Sequence, residues 1–370
     1  MKNDAVGLTR SLLRFDTINP PGREADCARH AGAMLQEMGF SVQYVDYAEG
    51  RTNVVARAGN GERPLCLTGH LDVVPLGTRA WTRDPFSGET DGDRLYGRGT
   101  SDMKAGVAAM LVAARNLAKH LSGTPGLVFV LTAGEETGCI GSRHLAKAQA
   151  LGKAGAMVVG EPTSNYPLVG HKGSLKFHAT FRGKSAHGSM PELGVNAVYK
   201  AANAVSRLEF FDFQAAEHPI MGAPTLNVGT FEGGSGVNLV PDFAKIGVDI
   251  RTVPGVDHAK LLSRIRNLLS DAELEINSDL PPVWTEPETE WVQRVYEISK
   301  PYLGEAPKPR SAPYMTDAAN LLTAYRGAPA VVLGPGEAAQ AHQTDEHASM
   351  ERIRQAVEIY EKIIRDWCRI

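Results

Sequence analysis

The sequence predicts an α/β protein with a small α+β domain inserted into it. Three observations carry that reading. Continuous apolar runs such as Gly-Leu-Val-Phe-Val-Leu-Thr (126–132) alternate with helical patterns through the first half, as strands covered on both faces do. After about Gly173 the order becomes strand, helix, strand, strand, helix, strand, which is the ferredoxin-like split pattern. Pro281-Pro282 then marks a return to the first domain. The expected boundaries are 1–173 and 280–370 for the two parts of the larger domain and 174–279 for the insertion.

Each element follows from its periodicity. Glu24 to Met38 has helical spacing, Ser41 to Tyr47 and Asn53 to Ala58 read as strands, and Pro64 to Thr68 is a short apolar strand. Ala105 to His120 is Ala-rich and helical, and Ala156 to Val159 is another apolar strand. In the insertion, Ser174 to Arg182, Thr225 to Phe231, Ala244 to Arg251 and Glu273 to Asn277 are expected strands. Asn196 to Leu208 and Asp257 to Leu269 are expected helices. Ala330 to Leu333 and an amphipathic helix from Met350 to Trp367 complete the larger domain.

Composition narrows the function classes. A chain of 370 residues, 43% hydrophobic, can bury a large core, and a net charge of −3 without a dense Lys/Arg tract predicts no nucleic-acid and no polybasic membrane partner. A small-molecule substrate is the better default. No apolar run approaches the ~20 residues of a membrane span, and the charged N-terminus predicts a cytoplasmic protein. Cys27, Cys66, Cys139 and Cys368 lie far apart, which disfavours a disulfide framework, a thiolate metal site and a redox enzyme with a Cys-x-x-Cys pair.

The chemistry gathers in a few motifs. His70-Leu71-Asp72 closes one apolar strand, Glu135-Glu136 follows another within Gly134-Glu-Glu-Thr-Gly138, and Glu161 follows Ala156 to Val159. Sites in open α/β sheets lie beyond the carboxyl ends of strands, so these residues can converge. Asp102 follows the glycine-bearing Gly97-Arg-Gly-Thr-Ser101, and His342 lies late in the chain. Singly these are a strand-end cap, a helix N-cap, a solvated acidic pair and a loop histidine. Together, His70, Asp102, Glu136, Glu161 and His342 offer the mixed nitrogen and oxygen donors that two bound metals need. Asp72 is placed to accept the second imidazole N–H of His70 with its carboxylate. Asp102 has two oxygens with which to bridge metals ~3.5–4 Å apart. Adjacent glutamates point in different directions, so one can ligate while the other handles a proton, and spacing alone leaves open which does which.

In combination, His-x-Asp, Gly-Arg-Gly-x-x-Asp-Met-Lys, Gly-Glu-Glu, Gly-Glu-Pro-Thr, Gly-Lys-x-Ala-His-Gly and the late His resemble the co-catalytic zinc amidohydrolases and peptidases. That family includes acetylornithine deacetylase, succinyl-diaminopimelate desuccinylase, aminoacylase and glutamate carboxypeptidase. The resemblance runs from about Leu12 to the C-terminal helix. It implies a zinc-peptidase-like catalytic domain with a central mixed sheet flanked by helices, an inserted lid and dimerisation domain, and a homodimer. It also implies two zinc ions, with cobalt or manganese able to substitute. His70 and Glu161 would hold one ion, Glu136 and His342 the other, with Asp102 between them and Glu135 as general base. His187 resembles the histidine that reaches the substrate carbonyl, Arg251 a residue that binds a substrate carboxylate, and Asn238 a polar contact beside it.

The implied reaction is hydrolysis of the amide bond of an N-acyl amino acid. The alternatives are a metallo-carboxypeptidase or dipeptidase using the same dinuclear site, and a metal-binding relative that has lost catalysis. The acyl group is left open, because Pro313-Tyr-Met-Thr-Asp-Ala-Ala319 lacks a glycine expected in several deacetylases. Asp317 there is read either as meeting a substrate amine or as capping a helix, and Lys172 as structural rather than catalytic.

Overall fold

The computed structural model describes residues 4–370, which divide into two compact units: the residues up to Gly170 with Val283–Ile370, and His171–Pro282. In the first unit six strands form one mixed sheet in the order Ser41–Ala48, Arg51–Ala58, Leu127–Thr132, Leu65–His70, Ala156–Val159, Ala330–Val332. The first two pairings are antiparallel and the remaining three parallel. Every residue of the Leu65–His70, Leu127–Thr132 and Ala156–Val159 strands is buried, which explains their unbroken apolar runs.

Helices supply the cover. Ala105–Leu117 buries eleven of its thirteen residues, because its alanines and glycine let neighbouring elements approach closely. It packs against the amphipathic Met350–Cys368 and against Ala5–Leu13, and all join one apolar core with the sheet. Because four adjacent strands of the sheet run parallel, their carboxyl ends share one edge. His70, the Glu135-Glu136 turn, Glu161 and the loop carrying His342 all leave from that edge.

The second unit holds a four-stranded antiparallel sheet in the order Thr225–Gly233, Phe243–Thr252, Gly173–Arg182, Ala272–Leu280. Burial alternates along Gly173–Arg182 and Phe243–Thr252, so only one face is packed. Leu175, Phe177, Ala179 and Phe181 meet Ala244, Ile246, Val248 and Ile250 beneath the helices Ala197–Glu209 and His258–Leu268. Both helices start at side-chain caps: Asn196 accepts from the Tyr199 N–H, and Asp257 from those of Ala259 and Lys260.

The expected elements form, with ends moved by one to three residues. The structure adds helices at Ala5–Leu13, Ile140–Lys147, Glu290–Leu303 and Ala318–Ala324, and a two-residue ribbon pairing Ala186–His187 with Leu239–Val240. Among the described residues no helix is long and apolar enough to cross a membrane.

Candidate metal centre and active site

His70 ends its strand buried, with the ring fixed at both nitrogens. Nδ1 lies 2.8 Å from the backbone carbonyl of Asp72, and Nε2 lies 3.0 Å from Asp102 Oδ1 and 3.9 Å from Glu161 Oε2. Both ring nitrogens thus have an oxygen partner, Nδ1 the Asp72 carbonyl and Nε2 the carboxylates. The Asp72 carboxylate does not take the expected role, since its nearer oxygen stands 3.6 Å from Nδ1. It is already occupied: Oδ1 accepts from the Glu135 N–H at 3.1 Å, and Oδ2 from the Glu136 N–H at 3.1 Å and Asn19 Nδ2 at 2.8 Å. Asp72 thus orients His70 with its backbone and fixes the double-glutamate turn with its side chain.

Asp102 does not cap the following helix. Thr100–Lys104 is an irregular turn with Asp102 in an extended conformation, and the helix begins at Ala105 without a side-chain cap. Freed from capping, the two Asp102 oxygens separate toward two histidines, Oδ1 to His70 and Oδ2 to His342 Nε2 at 3.3 Å. His342 also lies 3.1 Å from Glu136 Oε2. Ligating atoms of His70, Asp102 and Glu136 lie within 4.8 Å of one another.

The two glutamates diverge as adjacent residues must. Glu136 turns to His342, whereas Glu135 Oε1 accepts from the buried Cys139 thiol at 3.3 Å. Cys139 is itself anchored: its N–H donates to the Glu135 carbonyl, and its carbonyl accepts from Asn320 Nδ2 and Ser142 Oγ.

The electrostatics are those of crowded carboxylates short of positive charge. Burial first, then neighbouring carboxylates, pushes Glu135 and Glu161 well above the ordinary carboxylate range and raises Glu136. Burial also opposes the Asp102 anion, but hydrogen bonds to His342 and His70 outweigh it and hold Asp102 below its usual value. Those to Asp102 and Glu136 push His342 up to about 10. Histidine protons stand where cations would satisfy the same oxygens better.

Some contributors lay outside the sequence reading. Glu346, fully buried, accepts from the backbone N–H groups of Ser101 and Asp102 and pairs with buried Arg98 at 2.6 Å. Gly336 lies so close to Ser101 that a Cβ would come within 2.1 Å of its carbonyl oxygen, which accounts for the glycine before the His342 loop. Asp317 does neither thing expected of it. It is 2% exposed, so no substrate amine reaches it, and it precedes the Ala318–Ala324 helix without a side-chain cap, accepting instead from Thr132 Oγ1. Lys172 donates to the Ala223 carbonyl.

In the second unit, exposed His187 lies on the short ribbon with Nδ1 2.7 Å from Ser189 Oγ. The Asn238 carbonyl accepts from the Gly188 N–H. Arg251 donates to Asp249, two positions back on its strand, at 3.0 Å.

Residues 66–366 match the family model described as peptidase family M20/M25/M40. The chain belongs to that family. It is therefore a hydrolase of amide bonds. It is 33% identical over 347 residues to acetylornithine deacetylase of Vibrio atlanticus, covering 90% of this chain and 89% of that one. It is 29% identical to a probable succinyl-diaminopimelate desuccinylase of Staphylococcus epidermidis over 98% of both. Among solved structures, the M20 family metallo-carboxypeptidase Sso-CP2 of Sulfolobus solfataricus shares the fold across the whole of both chains, with a TM-score of 0.84 at 20% identity.

Proposed function

We propose that this enzyme hydrolyses the amide bond of an N-acyl amino acid with a pair of zinc ions, in the manner of the acetylornithine deacetylases and succinyl-diaminopimelate desuccinylases it is similar to along nearly its whole length. The observation that carries the two-metal reading is the division of the Asp102 oxygens between His70 and His342. The donors fit zinc, which takes imidazole nitrogen and carboxylate oxygen and needs no thiolate. His70 and Glu161 would hold one ion and Glu136 and His342 the other, with Asp102 offering an oxygen to each. When bound, the ions polarise the scissile carbonyl and acidify a water.

The chain's own residues do the rest. Glu135, the glutamate turned away from His342, takes the proton of the attacking water on its carboxylate and returns it to the leaving amine nitrogen. Its burial suits the task, because desolvation raises the carboxyl's pKa and so makes Glu135 a stronger base than a solvated carboxylate. His187 donates to the carbonyl oxygen as it gains charge. Arg251 receives the substrate carboxylate, since Asp249 leaves part of its five-donor fork available. Asn238 contacts the substrate beside it.

We infer further that the second unit closes as a lid and pairs two copies of the chain. Its Thr225–Gly233 strand is a sheet edge, and Tyr199, Phe231, Val237 and Leu239 are exposed on the same unit. Four free, buried cysteines suit a reducing cytoplasm.

The zinc-loaded protein should release free amine from N-acetyl or N-succinyl amino acids. Activity confined to dipeptides would replace the deacylase reading with the metallopeptidase one, which Arg251 serves equally well. Two bound ions without turnover on any of these substrates would leave only a metal-binding protein.

A further inference from the structure

We propose that the buried Arg98–Glu346 ion pair is a positioning brace that sets the relative placement of Asp102 and His342, and hence the affinity of the ion those two ligands share. This rests on the two-metal reading above. Neither residue is a candidate ligand, and both side chains are 1% exposed.

The contacts of the pair divide between exactly those segments whose spacing matters. Glu346 Oε1 accepts from Ser101 N–H at 2.8 Å and Asp102 N–H at 3.1 Å, holding the turn that aims the Asp102 carboxylate. Glu346 Oε2 accepts from Arg98 Nη1 at 2.6 Å. The guanidinium then spans outward: Nη1 reaches the Gln343 carbonyl at 3.2 Å, and Nη2 reaches that of Pro75 at 3.1 Å and that of His342 at 3.5 Å. One planar fork thus ties the segment after His70, the Asp102 turn and the His342 loop.

His342 needs such a restraint. It sits at φ +65°, a left-handed conformation that a non-glycine residue adopts at a cost, and its side chain is half exposed. His70 does not, because the Asp72 carbonyl orients it independently. The brace should therefore act unequally on the two ions. The ion held by Glu136 and His342 depends on it at two ligands, and the ion held by His70 and Glu161 only through Asp102. Groups that orient ligands in this way typically contribute about 10–100-fold in metal affinity.

The test is calorimetric titration of metal-depleted protein with zinc, repeated with cobalt and followed by its absorption spectrum. In Glu346→Gln one of the two equivalents should lose about 10–100-fold in affinity while the other changes less than about 3-fold. Thermal unfolding of the metal-depleted variant reads any purely structural cost separately. Both equivalents binding Glu346→Gln as they bind the wild type would overturn the proposal, whatever happens to the unfolding midpoint. Should that variant not fold, Arg98→Lys serves: it keeps the charge but cannot reach all three carbonyls, and should weaken the same equivalent about 3–10-fold. Unchanged affinities there would overturn it equally. Wild-type protein that binds fewer than two ions would sink the two-metal reading and the brace together. Two ions bound without amide turnover would sink only the activity, leaving the brace to be judged on its affinities.

Discussion

The two units hold their candidate functional side chains in opposite ways. In the first, Asp72 accepts three hydrogen bonds, Glu346 three, and the candidate ligand His70 is fixed at both ring nitrogens. In the second, exposed His187 lies beside Ser189, and Arg251 pairs with Asp249 of its own strand. A metal centre must be built before its ions arrive, because misplaced ligands forfeit affinity. Groups that meet a transient substrate must keep donors free. The comparison predicts that substitutions in the first unit change chemistry or metal content, and those in the second change substrate handling.

The largest effect belongs to Glu135→Ala, which should cost about 10²–10⁴-fold or more in kcat with folding and metal content intact, as metal analysis beside kinetics would check. Near-normal turnover would remove Glu135 from the base role. Next comes His187→Ala, expected to lower kcat about 10²-fold while both ions stay bound. Zinc loss in that variant would break the division between the units. Arg251→Met should act chiefly on KM, raising it about 10–100-fold for substrates ending in a carboxylate and much less for their amides, since a charge-assisted hydrogen bond contributes about 1.5–3 kcal/mol. An equal effect on both substrates would count against carboxylate recognition.

The smallest effect concerns stability. Burial holds His171 neutral and pushes its pKa down to about 4. The unfolded chain binds the proton near pH 6.5, so folding stability should fall as the pH drops from about 6.5 toward 4, by up to about 3 kcal/mol. His171→Gln should flatten that part of the curve in denaturant titrations, and an unchanged slope would reject the assignment.

What the sequence made legible tracks the same contrast. Long periodic elements and the convergence of the strand-end His70, Glu136 and Glu161 could be read because each motif carries its own local signal. The Asp72 carboxylate, expected at His70, instead meets three N–H donors, two from residues more than 60 positions away, which no local spacing reveals. Arg98 lies inside the Gly-Arg-Gly motif and Glu346 four residues after His342, yet they are 248 positions apart. Nothing in a sequence tells a buried, paired charge from a solvated one. Asp317 misled for a related reason: an aspartate before a helix usually caps it, and here Thr132 takes the carboxylate instead.

The most direct test is reconstitution of metal-depleted protein with zero, one and two equivalents of zinc, with turnover of N-acyl amino acids measured at each. The account predicts no activity without metal, tight uptake of two equivalents, and amine release that depends on that uptake. Full turnover by metal-free protein, or uptake of two ions with no turnover on any acyl amino acid or dipeptide, would contradict it.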